Sequence, residues 1–281
     1  MPLCPFSLFN ICLLKPLCSQ NLLILAEQAV EYVKYSLKTI KSGVERVKMN
    51  SYRNYAIAAG ILFIIADLVG FMSLPFIAPL NALNYLVSIS TNANMVTTAA
   101  LLLFIGGAAA IGIGISLYPV LKKFKEGLAL GAVGFRVAEG ILDFVAVISL
   151  LVLVTLSQQF VNAGAPDSSY FQTLGALVDG GYHWTSNIVK LMTFSIGAML
   201  YYIIFYRTKL VPRWLSGWGI VAAIFTMLSA LLTMYGIIAP FSTAQVILNL
   251  PILPQELVLA VWLIVKGFNP SVINAAGATE K

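Results

Sequence analysis

Charge is scarce in this chain. Only 10% of its 281 residues are Asp, Glu, Lys or Arg, while 59% are hydrophobic. A soluble domain carries about 25% charged residues. With a mean hydropathy of +0.90, this composition excludes a water-solvated fold and points to the bilayer as solvent. Histidine is nearly absent, with His183 alone, and the three cysteines, Cys4, Cys12 and Cys18, all fall in the leader. Their spacing fits no zinc pattern and suggests no disulfide framework. There is no Walker motif, Gly-x-Ser-x-Gly, His-Glu-x-x-His or Cys-x-x-Cys, so nothing calls for a metal or another cofactor. Lys266 stands at the inner end of the last apolar run, not its middle, which argues against a retinal pigment.

What is present is a series of apolar runs close to the ~20 residues that cross a membrane. They predict an all-α, polytopic bundle of six transmembrane helices at 55–78, 96–121, 128–156, 182–206, 215–238 and 246–266. Basic residues fall on one side only. Arg46, Lys48, Arg53, Lys122, Lys123, Lys125, Arg207, Lys209, Arg213, Lys266 and Lys281 occupy alternate connections, and the loops near 79–95, 157–181 and 239–245 hold no Lys or Arg. The positive-inside rule then places both termini in the cytoplasm, in a cell membrane. The net charge of +6 is this topological signal and needs no nucleic acid.

The expected organisation is a leader over 1–51, a transmembrane domain over 52–269 and a disordered cytoplasmic tail over 270–281. Residues 1–20 lack a basic stretch ahead of the apolar run and are broken by Pro2, Pro5 and Pro16, so they make a poor signal peptide. Beyond them, Ala26, Val30, Val33, Leu37, Ile40, Val44 and Val47 step by four and three. That is the apolar stripe of an amphipathic helix. It can lie on the inner membrane surface, pack beside the bundle or pair with a partner helix. Met49 would also serve as a start just ahead of the first span.

Two patterns concern packing. Gly60-Ile61-Leu62, Gly140-Ile141-Leu142 and Gly219-Ile220-Val221 recur about one helical hairpin apart, as parallel repeats would. Gly106, Ala110 and Gly114 put small residues on one face of the second span, where a neighbour can approach closely.

Ionisable residues inside the spans carry the functional signal. An ionised side chain in hydrocarbon costs about 2.5–3.5 kcal/mol on insertion scales. Counting 1.5 Å per residue from the inner ends, Asp67 lies roughly 18 Å deep, Arg136 roughly 12 Å, Glu139 about 16 Å, Asp143 about 22 Å and Glu256 about 15 Å. Arg136, Glu139 and Asp143 share one face of the third span, and that face must point into the bundle. Arg136 can pair with Glu139 or Glu256, and Lys190 reaches the depth of Asp143 from the other side. Two bases cannot neutralise four acids. The surplus must be protonated, or hold a cation or water.

Pro251 and Pro254 break the last span just ahead of Glu256, leaving either free helix N–H groups near that acid or a re-entrant loop. Asp179, His183, Asn187 and Lys190 form a polar stripe entering the fourth span. Two candidate ligands, Asp179 and His183, are too few for a metal site. Tyr201, Tyr202, Tyr206, Trp214 and Trp218 read as the inner aromatic belt.

The connection Tyr206-Arg207-Thr208-Lys209-Leu210-Val211-Pro212-Arg213-Trp214-Leu215-Ser216-Gly217-Trp218-Gly219 is distinctive. With Arg136-Val137-Ala138-Glu139-Gly140 and the ending that runs from Leu253-Pro254-Gln255-Glu256 to Lys266-Gly267-Phe268, it resembles a prokaryotic family of multi-pass membrane proteins known as domain of unknown function 4386. The likeness runs from about residue 52 to 269. It implies a six- or seven-helix membrane protein and brings no activity with it.

Three functions fit these residues. One is a small-molecule or cation/proton-coupled carrier using Asp67, Arg136, Glu139, Asp143, Lys190 and Glu256 at the midplane. Another is a receptor-like, lipid-binding or assembly protein whose buried charges fix helix register. An intramembrane enzyme ranks last, for want of a nucleophile. The bilayer is the expected partner, with a small molecule, ion or lipid as ligand; the oligomeric state stays open.

Overall fold

Proline, glycine and loop polarity cut the apolar sequence into helices. The computed structural model describes residues 50–166, 170–240 and 242–279, with Glu31, Lys34, Tyr35 and Lys38 ahead of them. The cysteines, Met49, the whole apolar stripe of the amphipathic helix and the final Lys281 lie outside the described residues. The chain divides into Met1–Ser51 and Tyr52–Lys281. Everything below concerns the second unit and the short start of its first helix.

The described residues contain helices and no strand. Helix α1 covers 50–73 and tightens into a 3-10 segment, Leu74–Asn81, where Pro75 and Pro79 cannot continue α-helical bonding. A short α2 (Tyr85–Thr91) leads to α3 (Ala93–Leu121) and α4 (Glu126–Asn162). Next come α5 (Tyr170–Trp184), a π-helical turn (Thr185–Val189) and α6 (Lys190–Thr208), then α7 (Arg213–Met234). The chain closes with α8 (Thr243–Asn249), α9 (Ile252–Val265) and α10 (Pro270–Thr279).

Six of these stretches are long and apolar enough to cross a membrane: Asn50–Asn81, Ala93–Leu121, Glu126–Asn162, Tyr170–Thr208, Arg213–Met234 and Thr243–Val265. Most hydroxyls within them bond back to their own helix, as Ser149 Oγ does to the Val145 carbonyl (3.0 Å) and Thr226 Oγ1 to that of Ala222 (3.1 Å). With no water in hydrocarbon, that satisfies them locally.

Several boundaries differ from those read in the sequence. The fourth span begins at Tyr170, well before 182. Gly175, Asp179, Gly180 and Gly181 dilute its apolar pattern, but Phe171 and Gly175 pack against Phe160, Tyr85 and Leu86 and extend the helix. At 37 residues, α4 outruns the hydrocarbon and carries Phe160 into that same cluster. The last span is neither one rod nor a re-entrant loop. It breaks at Leu250 and Pro251 and resumes at Ile252, with Pro254 in the first turn of α9, where no intrahelical donor is needed. The described part of the tail, Pro270–Thr279, is helical: Asn269 Oδ1 accepts from the Ser271 N–H (3.2 Å) and Pro270 opens the helix.

Helix α4 is the centre of the bundle, touching α2, α3, α5 and α6. Its tightest neighbour is α3. A Cβ placed on Gly140 would stand 2.5 Å from the Gly107 carbonyl oxygen, and one on Gly107 would stand 2.9 Å from that of Gly140. The two backbones are in contact. The small-residue face is therefore divided: Gly107 and Gly114 meet α4, and Gly106 meets Val69 of α1. Gly60 marks a second backbone approach, with the Ala260 carbonyl of α9 at 2.7 Å from a Cβ there.

Candidate functional site

The i, i+3, i+7 pattern puts Arg136, Glu139 and Asp143 on the inward face of α4, each no more than 6% exposed. The guanidinium of Arg136 forks. One nitrogen lies 3.0 Å from Glu139 Oε2, and the other 2.9 Å from Glu256 Oε1 on α9. That second nitrogen also donates to the Tyr201 hydroxyl of α6 (2.7 Å), which in turn donates to Glu256 (3.2 Å). Phe194, Phe63 and Tyr201 surround the guanidinium carbon at 4.9, 5.3 and 5.3 Å from their ring centres. Arginine suits such a place: its charge is spread over a plane, it bonds carboxylates directionally and it accepts aromatic faces.

A second pair stands beside the first. Lys190 Nζ is 2.6 Å from Asp143 Oδ1, joining α6 to α4. Lys190 is the first residue after the π turn, a feature that occurs often at functional sites. The turn lies within the polar stripe of the fourth span. There Asp179 and His183 are 3.6 Å apart, and Asn187 Nδ2 is 3.3 Å from His183 Nδ1. The stripe thus runs from the end of α5 down to Lys190.

Asp67 of α1 completes the group. It faces Glu256, carboxyl against carboxyl, and its Oδ2 is buried with no hydrogen-bond partner among the described residues. All six residues singled out in the sequence line one cavity of about 130 Å³. Four acids face two bases there, a formal surplus of two negative charges. The space has room for about four waters at ~30 Å³ each.

Sequence reasoning misplaced two residues. Tyr201 and Tyr202 are not belt residues: both are fully buried. Tyr201 bridges Arg136 and Glu256, and the Tyr202 hydroxyl donates to Gln255 Oε1. The signal was available. Lys190, Phe194, Gly197 and Tyr201 step by four, three and four, which puts Tyr201 on the face of Lys190. Tyr206 and Trp214 are exposed, as a belt requires.

A further set of polar contacts holds the broken span. Gln245 Nε2 donates to Thr233 Oγ1 (3.2 Å), Asn249 Nδ2 to Ser229 Oγ (3.1 Å) and Gln255 Nε2 to the Leu215 carbonyl (3.3 Å). All three acceptors lie on α7. Side-chain amides thus anchor the interrupted helix where its own backbone bonding lapses.

Comparison with known families gives one match, to the model described as a domain of unknown function (DUF4386), over residues 58–267. The chain belongs to this family. No curated protein and no solved structure matches it. The DUF4386 match spans the bundle from α1 to the end of α9 and includes every residue of the polar cavity.

Proposed function

We propose that this DUF4386 protein is a small-molecule or cation/proton-coupled carrier of the cell membrane, with both termini cytoplasmic and its polar site at the bilayer midplane. One observation supports the reading above the others: acids outnumber bases four to two around one cavity. A cation or protons would balance that surplus, and intramembrane ionisable groups commonly mark ion and proton paths. The basic residues clustered at one end of the spans support the orientation.

The roles divide. Arg136 is held on both terminal nitrogens and on three ring faces, so it keeps Glu139 and Glu256 in place. Asp67, with one oxygen open, and the Lys190–Asp143 pair at the foot of the polar stripe are the groups that would exchange their partner for a cation or proton. A second reading has its own support: the Arg136 network ties α4, α6 and α9 together, as a purely register-fixing cluster would.

The test is flux. Purified protein in liposomes loaded with a pH-sensitive dye is exposed to imposed Na⁺, K⁺ and pH gradients. Wild type should dissipate at least one gradient faster than empty liposomes, and Asp67→Asn should abolish this while eluting as a folded species. Equal flux for wild type and Asp67→Asn, or no flux above empty liposomes under any gradient, would reject the carrier and leave the register-fixing reading.

A further inference from the structure

The larger cavity lies away from the buried cluster. A groove of about 570 Å³ opens at the end of the bundle where α6 stops, α7 starts and α9 stops. Its shape comes from two left-handed residues. Lys209 (φ 61°) ends α6 and Gly267 (φ 71°) ends α9, turning both chains across the same end. The turns are tied together, since the Asn269 N–H donates to the Leu210 carbonyl at 2.9 Å. Leu210, Val211 and Phe268 are buried beneath them and make a firm floor.

Three cations line this groove, Lys209, Arg213 and Lys266. Lys209 and Arg213 stand at the two ends of the α6–α7 connection and Lys266 at the end of α9, and all three are exposed. Among the described residues, none is paired with a carboxylate. Arg53, close by, is committed otherwise: its two terminal nitrogens bond the carbonyls of Leu263, Ile264 and Val265 at 3.1, 2.6 and 3.2 Å, capping the end of α9. The backbone N–H groups of Arg213 and Trp214 open α7 without an intrahelical partner, and Pro212 at the cap offers no side-chain acceptor.

Exposed apolar residues flank the lining in sequence: Trp214 follows Arg213, Val265 precedes Lys266, and Val261 lies one turn before Val265 on α9. Trp214, Val261 and Val265 are 58%, 54% and 62% exposed. In a bilayer they would meet acyl chains, with Trp262 at the groove's edge. A basic recess whose lining residues are neighboured in sequence by exposed apolar side chains fits an amphiphile with a phosphate head better than a soluble anion.

We propose that this groove binds the phosphate headgroup of an anionic phospholipid. Lys209, Arg213 and Lys266 contact the phosphate, and the Trp214, Val261 and Val265 surface receives the acyl chains. The site is separate from the buried cavity and does not depend on the carrier reading.

Native mass spectrometry of the full chain in detergent tests it, with phosphatidylglycerol and phosphatidylcholine added at equal concentration. Phosphatidylglycerol adducts should dominate. In Lys209→Gln/Arg213→Gln/Lys266→Gln, affinity for phosphatidylglycerol should fall on the order of a hundredfold, about fivefold per cation removed. Phosphatidylcholine binding should stay as it is. A charge-matched variant at the same end, Lys122→Gln/Lys123→Gln/Lys125→Gln, should keep its phosphatidylglycerol. Equal losses in both variants, or none in the first, would overturn the site. Inorganic phosphate should compete poorly; if it displaces phosphatidylglycerol at equal concentration, the groove is a soluble-anion site and the lipid assignment falls.

Discussion

Replacing Arg136 by methionine, of similar length and no charge, removes the one cation between Glu139 and Glu256. Both residues are 6% exposed, so bulk water cannot take over from the guanidinium and only the few waters that fit the cavity could stand in. Removing one partner of a buried ion pair costs about 3–5 kcal/mol, because the other charge is left without compensation. Interhelical hydrogen bonds in membrane proteins are weaker, up to about 1.7 kcal/mol, since the unfolded chain in lipid also finds partners. The Tyr201 hydroxyl remains beside Glu256 and recovers part of the loss. The net expectation is about 3 kcal/mol, near the low end of the ion-pair range. At ~2–4 °C per kcal/mol, the midpoint of thermal unfolding should drop by roughly 6–12 °C. The assay is loss of the monodisperse peak in size-exclusion chromatography after heating in detergent. Neutralising the acids as well, in Arg136→Met/Glu139→Gln/Glu256→Gln, should recover most of the stability, because neutral amides need no counter-charge. If Arg136→Met is as stable as wild type, or the triple variant is no better than the single, the network is not the ionic tie described here.

Two further outcomes follow from the packing. Gly140→Ala should destabilise the bundle by about 1–3 kcal/mol, because its methyl group meets the Gly107 carbonyl at 2.5 Å and backbone cannot rotate away; Gly134→Ala, with nothing within 4 Å, should leave the heated elution profile unchanged. Tyr201→Phe keeps the ring over Arg136 but removes the hydroxyl between guanidinium and Glu256, and should cost about 1–2 kcal/mol in the same assay. A smaller loss for Tyr201→Phe than for an exposed control such as Tyr206→Phe would refute the bridging role.

Sequence and structure agree where long-range physics acts on single residues. The spans were legible because a helix must stay apolar for ~20 residues to cross hydrocarbon. That the ionisable groups converge was legible because lipid leaves them only the interior. The π turn at Thr185–Val189 was not. It adds a residue without changing composition, and it packs against α4 and α7, which lie far from it in sequence. The start of α5 was hidden by its glycines and appears only once α2 supplies Tyr85 and Leu86 to pack on. Tyr201 and Tyr202 were mistaken for belt residues because tyrosine has two common places in membrane proteins, and depth counted from an uncertain helix end does not separate them.

The two places where backbone touches backbone constrain how this molecule can move. With no side chain between them to yield, α3 and α4 travel as one jaw, and α1 and α9, locked at Gly60, travel as the other. Asp67 and Glu256 ride together on the second jaw, and Arg136, Glu139 and Asp143 on the first. Contacts across the gap, such as Leu62 on Gly112 and Val69 on Gly106, are made by flexible side chains that can slide. Arg136 to Glu256 is then the latch. Parting the two jaws would unfasten that bond and the Tyr201–Glu256 bond beside it.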